Sequence, residues 1–503
     1  MNKKICLLLV SVIILFTLPL LANNISINGD VTVTDISTSS HYANLQFDIS
    51  WDNSWKDATN YDAAWVFAKW KLHSGTDWAH CTLAETGHTN PTGTPSGVTI
   101  DGQSDGMGVF IYRSANGTGT NTWDDAKLRW NYGTDVADDA TVDVKVFAIE
   151  MVYIPQGSFS LYDGESADLI SNFNSNNIIS SEAAIAIGGI TWDVSESTWS
   201  GAQTNDGETG GCAALGTSYP KGFDAIYCMK YEISQAQYAD FLSLLTDAQD
   251  GNRYPNSNGS YRHTISGSYG SYSASVPNRA CNYLQWADGL AYADWAGLRP
   301  MTELEYEKIC RGSETADTDY AWGSTTISGL ETDPGNRVQN DGLPNESSTS
   351  SSDNCHYNNK LAWNTGGGPY GPVRCGFFAE SGTSRETSGA SYYGVMEMSG
   401  NLWERCITVA KYCWNNSTWN NETGAGSFDG LHGNGSLSAT GFADVSNWPS
   451  PTVTSGYTAY GSSFRGASWN NSATSLRVSY RSSAANPNAH RFSNYGFRAV
   501  RTL

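Results

Sequence analysis

The sequence has few basic residues and few charges of either sign. Lysine and arginine together number 29 against 50 aspartates and glutamates, which gives a formal net charge of −21, and only 16% of the residues are charged. Nucleic-acid binding needs clustered lysine and arginine opposite the phosphates, so this balance argues against a nucleic-acid partner. An acidic surface instead suits an extracellular protein that binds cations.

A long apolar run occurs only at the beginning of the chain. Lys3 and Lys4 precede the apolar residues 5–21, and Ala22 follows. This order is typical of a secretory signal peptide, which we assign to residues 1–22. The run of about 17 residues is near the lower limit for a membrane span, so a retained N-terminal anchor is the alternative. We expect a secreted protein, extracellular or periplasmic, with no transmembrane segment in the mature chain.

Cysteine pairs with the spacing of a metal site are missing. Of the ten cysteines, Cys6 lies in the predicted signal peptide and nine remain, none of them in a CxxC arrangement, so no zinc site is predicted. Export permits disulfides, and we expect some cysteines of the larger C-terminal region to pair, in a connectivity that the sequence leaves open. Cys81 stands alone in the N-terminal region and is expected to be a buried thiol.

Residues 23–150 alternate apolar and polar side chains in short runs, separated by turns rich in glycine and aspartate. About seven such strands and no helical pattern predict an all-β sandwich of the immunoglobulin-like or fibronectin-like kind. Trp51, Trp55, Trp65 and Trp70 could form a platform for a sugar. The alternative is that these aromatic residues fill the core of the sandwich.

Residues 151–503 predict a domain with few helices and many loops. Ser234 is a suitable cap for a first helix, a second spans about 284–296, and a third begins at a capping box formed by Thr302 and Glu305. The remaining sequence is rich in Gly, Asn, Ser, Trp and Tyr. We therefore expect an irregular α+β domain.

Four blocks of this region carry motifs in a fixed order. They are residues 151–159 (MVYIPQGSF), 231–241 (YEISQAQYADF), 286–307 (from WAD at 286–288 to LRPMTELEYE at 298–307, followed by RG at 311–312) and 393–404 (YGVMEMSGNLWE), which lead to 465–469 (RGASW) and 496–498 (GFR). Together they resemble the formylglycine-generating-enzyme, or sulfatase-modifying-factor, family. The resemblance implies an irregular fold related to C-type lectins over residues 151–503, with calcium fixing some of the loops. It does not extend to residues 23–150.

The cysteines on which that family's chemistry depends are absent. Members that oxidise a substrate cysteine to formylglycine carry two cysteines shortly after the Gly-Gly-Ser segment, and these thiolates hold Cu(I). The corresponding residues 468–477 read SWNNSATSLR, and residues 461–503 contain no Cys, Asp or Glu. We therefore expect neither copper nor oxidase activity by this route. Cys406 and Cys413 could be a substitute pair, and the alternative is a structural thiol or disulfide.

The loop around Gly400 is the best candidate for a metal site. Calcium prefers carboxylate and carbonyl oxygens, and the resemblance implies that Asn401 and Glu404 are calcium ligands with a structural role. In the alternative interpretation, Glu404 pairs with an arginine and Trp403 fills the core.

The C-terminal tail, residues 461–503, also resembles the variable segment of lectin-fold proteins that are diversified by retroelements. Its Asn, Ser, Tyr and Phe residues resemble the composition of an antibody paratope. The candidate contact residues are Trp469, Asn470, Asn471, Tyr480, His490, Phe492 and Tyr495. An ordinary loop region rich in Asn and Ser is the alternative. The tail arginines, among them Arg465, Arg477 and Arg498, could bind an anion, but internal pairing with carboxylates is the expectation.

The sequence thus predicts a secreted or cell-surface recognition protein whose sulfatase-modifying-factor domain is non-catalytic. Its ligand would be a protein or a glycan. The alternative function is a divergent oxidoreductase of the formylglycine-generating type that acts on protein or thiol substrates. A structural component of the cell surface is a third hypothesis.

Overall fold

A computed structural model describes most of the chain. The described residues are 24–161, 173, 177–192, 210–257, 259–314, 320–330, 337–358, 370–410, 413–415, 418–420 and 427–503. The predicted signal peptide lies outside these ranges. Within them, no helix has the length and apolar character that crossing a membrane requires.

The N-terminal region consists almost entirely of strands, as its alternating pattern predicts. The strands are β1 (Ser26–Ser37), β2 (Tyr42–Lys56), β3 (Tyr61–Leu72), β4 (Ala79–His80), β5 (Thr92–Thr94), β6 (Val98–Gly102), β7 (Val109–Arg113), β8 (Gly117–Trp130) and β9 (Val142–Ile154). All of them pair antiparallel with their neighbours. A short 3₁₀ helix, Tyr132–Thr134, separates β8 from β9.

The C-terminal region contains short strands, five α-helices and long irregular connections in its described parts. The further strands are β10 (Phe159–Ser160), β11 (Ile178–Ile179), β12 (Thr191–Trp192), β13 (Gly210–Gly211), β14 (Ile226–Met229), β15 (Ile265–Ser268), β16 (Ser271–Ala274), β17 (Arg299–Pro300), β18 (Val338–Gln339), β19 (Ser347–Ser348), β20 (Glu404–Ile407), β21 (Cys413–Asn415), β22 (Thr418–Asn420), β23 (Ser462–Arg465) and β24 (Ala499–Thr502). The helices are α1 (Gln235–Ser243), α2 (Asp247–Arg253), α3 (Trp286–Trp295), α4 (Glu303–Arg311) and α5 (Arg385–Ser388), with a 3₁₀ helix at Ala473–Leu476.

The three predicted helices are confirmed as α1, α3 and α4. Ser234 caps α1 and Thr302 caps α4, each by accepting a hydrogen bond from the backbone N–H three residues later. Glu305 returns a hydrogen bond to the backbone N–H of Thr302 at 2.8 Å. These reciprocal bonds satisfy donors that a helix start would otherwise leave unpaired, which is why the local sequence predicts where these helices begin.

One connected sheet of twelve strands joins the N-terminal strands to the C-terminal region. Its main order is β17-β24-β14-β9-β3-β2-β8-β5, with further strands branching from β2, β3 and β7. A separate immunoglobulin-like sandwich is therefore not confirmed. The predicted boundary at residue 150 lies inside β9, whose Ile149 pairs with Trp65 of β3 and whose Val152 pairs with Cys228 of β14. The division into two domains stays a prediction.

Both faces of β3 are buried, in two different cores. Ala64 and Val66 belong to the core of the N-terminal strands, whereas Trp65 and Phe67 belong to the core formed with α1 and α3. Alternate residues of a strand point to opposite faces, so β3 is the layer that the two cores share. Trp65 is 0% exposed and Trp51 of the predicted sugar platform is 1% exposed. These two tryptophans are core residues, as the alternative interpretation expects.

Lys69 of β3 also links the N-terminal strands to the C-terminal region by hydrogen bonds. It is buried, and its Nζ donates hydrogen bonds of 2.7 Å to the carbonyl oxygens of Trp295 and Gly435. Burial lowers the pKa of Lys69 to about 7, although the nearby Asp294 opposes this shift. The amine thus titrates near neutral pH while it holds the end of α3.

The stability of the wild-type protein relative to a Lys69→Met variant should rise between pH 7 and 10. In this window the unfolded state, with an ordinary lysine pKa, binds more protons than the folded state, so raising the pH favours folding by up to about 1.4 kcal/mol per pH unit. Burial raises the pKa of Asp294 to about 7, and that group acts below this window. Urea unfolding at several pH values measures the difference in free energy of unfolding between the two proteins. A difference that does not change with pH would contradict the lowered pKa of Lys69.

Candidate recognition surface in the C-terminal tail

The tail is held against the Gly400 loop by strand pairing. β23 pairs with β20, so that Glu404 lies opposite Arg465. Later in the tail, the backbone N–H of Trp403 donates to the carbonyl oxygen of Asn494, and that of Gly496 donates to the carbonyl oxygen of Trp403, both at 2.9 Å. These bonds fix the turn Phe492–Tyr495, which the backbone N–H of Tyr495 closes by donating to the carbonyl oxygen of Phe492 at 3.1 Å.

Three of the predicted contact residues come together at this turn. The His490 and Phe492 rings lie 6.1 Å apart, and the Phe492 and Tyr495 rings 5.2 Å apart in an edge-to-face arrangement. Tyr495 in turn packs against the buried Phe464 at 4.5 Å. His490 is exposed, and Phe492 is 45% exposed. The turn therefore presents the Phe492 ring to solvent, and Tyr495, which packs against Phe464, holds this ring in place.

Asn470 and Asn471 lie beside this turn and are linked to it by hydrogen bonds. The Ser468 hydroxyl lies 2.9 Å from Oδ1 of Asn470 and 2.6 Å from Oδ1 of Asn471. The side-chain amide of Asn494 donates to Oδ1 of Asn470 at 3.2 Å. Both asparagines are half-buried. Their amides are thus held in place next to the aromatic turn, as recognition by hydrogen bonds requires.

One predicted contact residue, Trp469, is placed differently from the expectation. Trp469 is 3% exposed and packs near Tyr261 and Tyr370, while its Nε1 donates to the carbonyl oxygen of Ser493 at 3.3 Å. Trp469 therefore stabilises the turn through this hydrogen bond, and its buried ring is not available to a ligand. Tyr480 is half-buried against the aromatic cluster that contains Phe464. Tyr495 is half-buried against the same cluster, so a contact role for Tyr480 stays a prediction.

The internal pairing expected of the tail arginines is confirmed for Arg465 and Arg498, and for Arg477 it stays a prediction. Arg465 pairs with Glu303 at 3.2 Å and also contacts Glu307, and Arg481 pairs with Glu303 at 3.0 Å. Arg491, which is not among the predicted pairs, binds Asp288 at 2.7 Å. These guanidinium groups do not form an open anion-binding patch.

The Gly400 loop does not fit a calcium site formed by Asn401 and Glu404. Both carboxylate oxygens of Glu404 accept hydrogen bonds from Arg498, at 2.7–3.0 Å. Oδ1 of Asn401 accepts from the backbone N–H of Val373 at 2.9 Å, and its amide donates to Glu232 at 2.5 Å. A guanidinium against Glu404 would repel a cation. Among the described residues, no group of three or more His, Cys, Asp or Glu side chains is arranged to hold a metal.

The described cysteines offer no accessible thiolate. Seven buried cysteines are free thiols: Cys81, Cys212, Cys228, Cys281, Cys310, Cys375 and Cys406. Burial raises the pKa of each of them, and a buried neutral thiol is a poor nucleophile and a poor metal ligand. Cys81 is a buried thiol, as predicted. The side chain of Cys413 lies outside the described residues, so its predicted partnership with Cys406 stays a prediction.

Sequence reasoning did not anticipate the neighbours that complete this surface. Tyr261 and Tyr370 lie beside Trp469, and the Tyr457 and His490 rings are 6.4 Å apart. The first two are separated from Trp469 by about 100–200 positions in the chain, so no local pattern connects them to it.

The fold and the surface together define a domain with a sulfatase-modifying-factor scaffold and no cysteine in its C-terminal tail. Residues 200–503 match the family described as "Sulfatase-modifying factor enzyme 1-like domain", and the chain belongs to this family. A formylglycine-generating enzyme of Streptomyces coelicolor is 43% identical to this chain over 53 residues. That alignment covers 10% of this chain and only 17% of the enzyme.

Proposed function

We propose that this protein is a secreted or cell-surface recognition protein in which a non-catalytic sulfatase-modifying-factor domain, related to C-type lectins, binds a protein or a glycan through its tail. The observation that carries this proposal is the exposed Phe492 ring beside His490 and Tyr495, on a turn that is hydrogen-bonded at both ends. A rigid aromatic anchor next to fixed amides suits binding, because little side-chain freedom is lost on contact.

The chemistry of the tail supports the same proposal. The residues that follow Ser468 carry amides and hydroxyls in place of thiolates, and the seven free thiols described above are buried with raised pKa values. Variation at exposed tail positions by a retroelement would be compatible with such a surface, since Phe492 and His490 lie outside the core. The N-terminal strands would act as a spacer or attachment module.

A Phe492→Ala variant should bind ligand at least about tenfold more weakly than the wild-type protein, because truncating a hot-spot anchor typically costs about 2 kcal/mol or more, and about 1.4 kcal/mol already corresponds to tenfold. Ligands would first be selected with the wild-type protein from a printed glycan array and a displayed peptide library. Their dissociation constants would then be measured by calorimetry for both proteins.

Tyr269→Ala is the matched control for this experiment. Tyr269 is 38% exposed and lies in the turn between β15 and β16, and its loss should leave affinity unchanged. Equal affinity of the Phe492→Ala variant and the wild type for every selected ligand would contradict the proposal. Trp469→Ala is a poor test, since removing that buried ring would also destabilise the domain.

The second candidate function is a divergent oxidase of the formylglycine-generating type, which the family relationship favours. It requires a bound redox metal and oxygen uptake in the presence of a thiol substrate. Stoichiometric copper or iron in the purified protein, together with thiol-dependent oxygen consumption, would support it against the recognition proposal.

A further inference from the structure

Trp55, one of the tryptophans of the predicted sugar platform, lines a cleft between the N-terminal strands and the C-terminal region. The cleft has a volume of about 290 Å³. Its N-terminal wall is formed by Asn53 and Trp55 at the end of β2. Its C-terminal wall contains Lys230, Tyr231, Ser381, Thr383 and Met396. Trp55 is half-buried, unlike the fully buried Trp51 and Trp65.

The Trp55 ring is held in position by the backbone of Gly394, which also lines the cleft. A Cβ placed on Gly394 would come within 2.9 Å of the ring, so the indole lies directly against the backbone of this residue. Gly394 has a φ of +88°, a conformation that glycine adopts without strain. Asn60, just before β3, donates from its side-chain amide to the carbonyl oxygen of Tyr393 at 2.6 Å. The two regions therefore fix the cleft jointly.

The charges of the cleft argue against an ionic ligand. Nζ of Lys230 lies 5.0 Å from the centre of the Trp55 ring and 5.4 Å from that of Tyr231. This ammonium already occupies the position over both rings where a ligand cation would bind. Lys230 is itself paired with Glu150 at 3.0 Å and with Asp62 at 3.3 Å. Two carboxylates against one ammonium, with Glu380 at the rim, also disfavour an anion.

A neutral, hydroxyl-rich ligand fits the remaining chemistry. Trp55 supplies apolar surface, to which Tyr231 and Met396, each 4% exposed, add little, while Ser381 and Thr383 supply hydroxyl groups. Small-molecule sites of roughly 300–1,000 Å³ combine apolar walls with a few polar groups, so this cleft suits one ring-sized unit. We propose that the cleft binds a single neutral sugar residue of a glycan, with the apolar side of the sugar against the part of Trp55 that lines the cleft. This site is distinct from the tail surface and does not depend on it.

Saturation-transfer NMR with four neutral sugars tests this proposal on the mature chain. The probes are glucose, galactose, mannose and N-acetylglucosamine, each titrated against the wild-type protein and a Trp55→Ala variant. We expect saturation transfer to at least one sugar, and a loss of affinity of about tenfold or more in the variant, as for other aromatic anchors.

A second variant keeps the test decisive if Trp55→Ala fails to fold. Ser381 is exposed at the rim, so Ser381→Phe should fill the cleft without disturbing the core, and Ser40→Phe on the exposed β1–β2 turn is its matched control. Binding that survives Ser381→Phe, or saturation transfer to none of the four sugars, would overturn the proposal. Loss of sugar binding in Phe492→Ala but not in Ser381→Phe would assign the sugar to the tail surface instead.

Discussion

Replacing Arg498 with methionine is expected to lower the free energy of unfolding by about 3–5 kcal/mol, the usual cost of removing one partner from a buried ion pair. Arg498 and Glu404 are both buried, and the guanidinium donates to both carboxylate oxygens. It also donates to the carbonyl oxygens of Met229 and Met396, at 2.8 and 2.7 Å. Burial raises the pKa of Glu404, so the carboxylate depends on this partner to stay ionised.

The control for Arg498→Met is Lys71→Met, which removes an ion pair at the surface. Lys71 contacts Asp143 at 2.6 Å, with the Asp143 side chain 38% exposed. Such an exposed pair contributes little to stability, because solvent and salt screen it. Chemical denaturation of the two variants and the wild type gives both differences. A loss in Arg498→Met no larger than that in Lys71→Met would show that the buried pair does not hold this part of the domain together.

Trp65→Ala is expected to destabilise the whole chain by about 3–5 kcal/mol, as is typical for truncating a buried tryptophan. The Trp65 ring packs against Phe110 at 4.9 Å, and its Nε1 donates to the carbonyl oxygen of Ala296 at 2.8 Å. The guanidinium of Arg501 lies 4.3 Å from the ring centre. One side chain of an N-terminal strand thus contacts the residue that ends α3 and the last strand of the sheet.

Because the two regions share one sheet, the destabilisation by Trp65→Ala should affect the unfolding of both. Wild-type and Trp65→Ala proteins should each unfold in one transition, detected equally by probes in the N-terminal and the C-terminal region. Trp70→Ala, on the same strand at a half-buried position, should cost less and serves as the control. Two separate transitions, of which Trp65→Ala shifts only the first, would instead support the division into independent domains at residue 150.

The elements that the sequence predicts well are those set by local contacts. Ser234 and Thr302 cap helices through residues only three positions away, and the alternation of apolar and polar residues in β2 and at the start of β9 follows from strand geometry. The shared sheet depends on Val152 lying next to Cys228, a pairing between distant segments. No periodicity in either segment specifies such a partner.

For the candidate sites too, local sequence predicts some features, while contacts between distant residues decide the others. The motif around Asn401 predicts a loop with a special role, but whether Glu404 binds a cation or an arginine depends on Arg498, 94 positions later. The composition of the tail predicts a surface rich in Asn and aromatic residues. Which of those residues are exposed, Phe492 but not Trp469, is decided by packing against Phe464 and Tyr261.

The continuous sheet also fixes the orientation of the tail surface relative to the N-terminal strands. The turn Phe492–Tyr495 leads within a few residues into β24, which pairs with β14, which pairs with β9 of the N-terminal region. Backbone hydrogen bonds, and no flexible linker, therefore connect the two ends of the described chain. If the N-terminal strands are attached to a cell, the tail surface will be presented at a constant angle and distance. Binding to a repeated ligand on an opposing surface would then depend on the spacing of neighbouring molecules, because the paired strands hold the tail surface in a fixed position relative to the N-terminal strands.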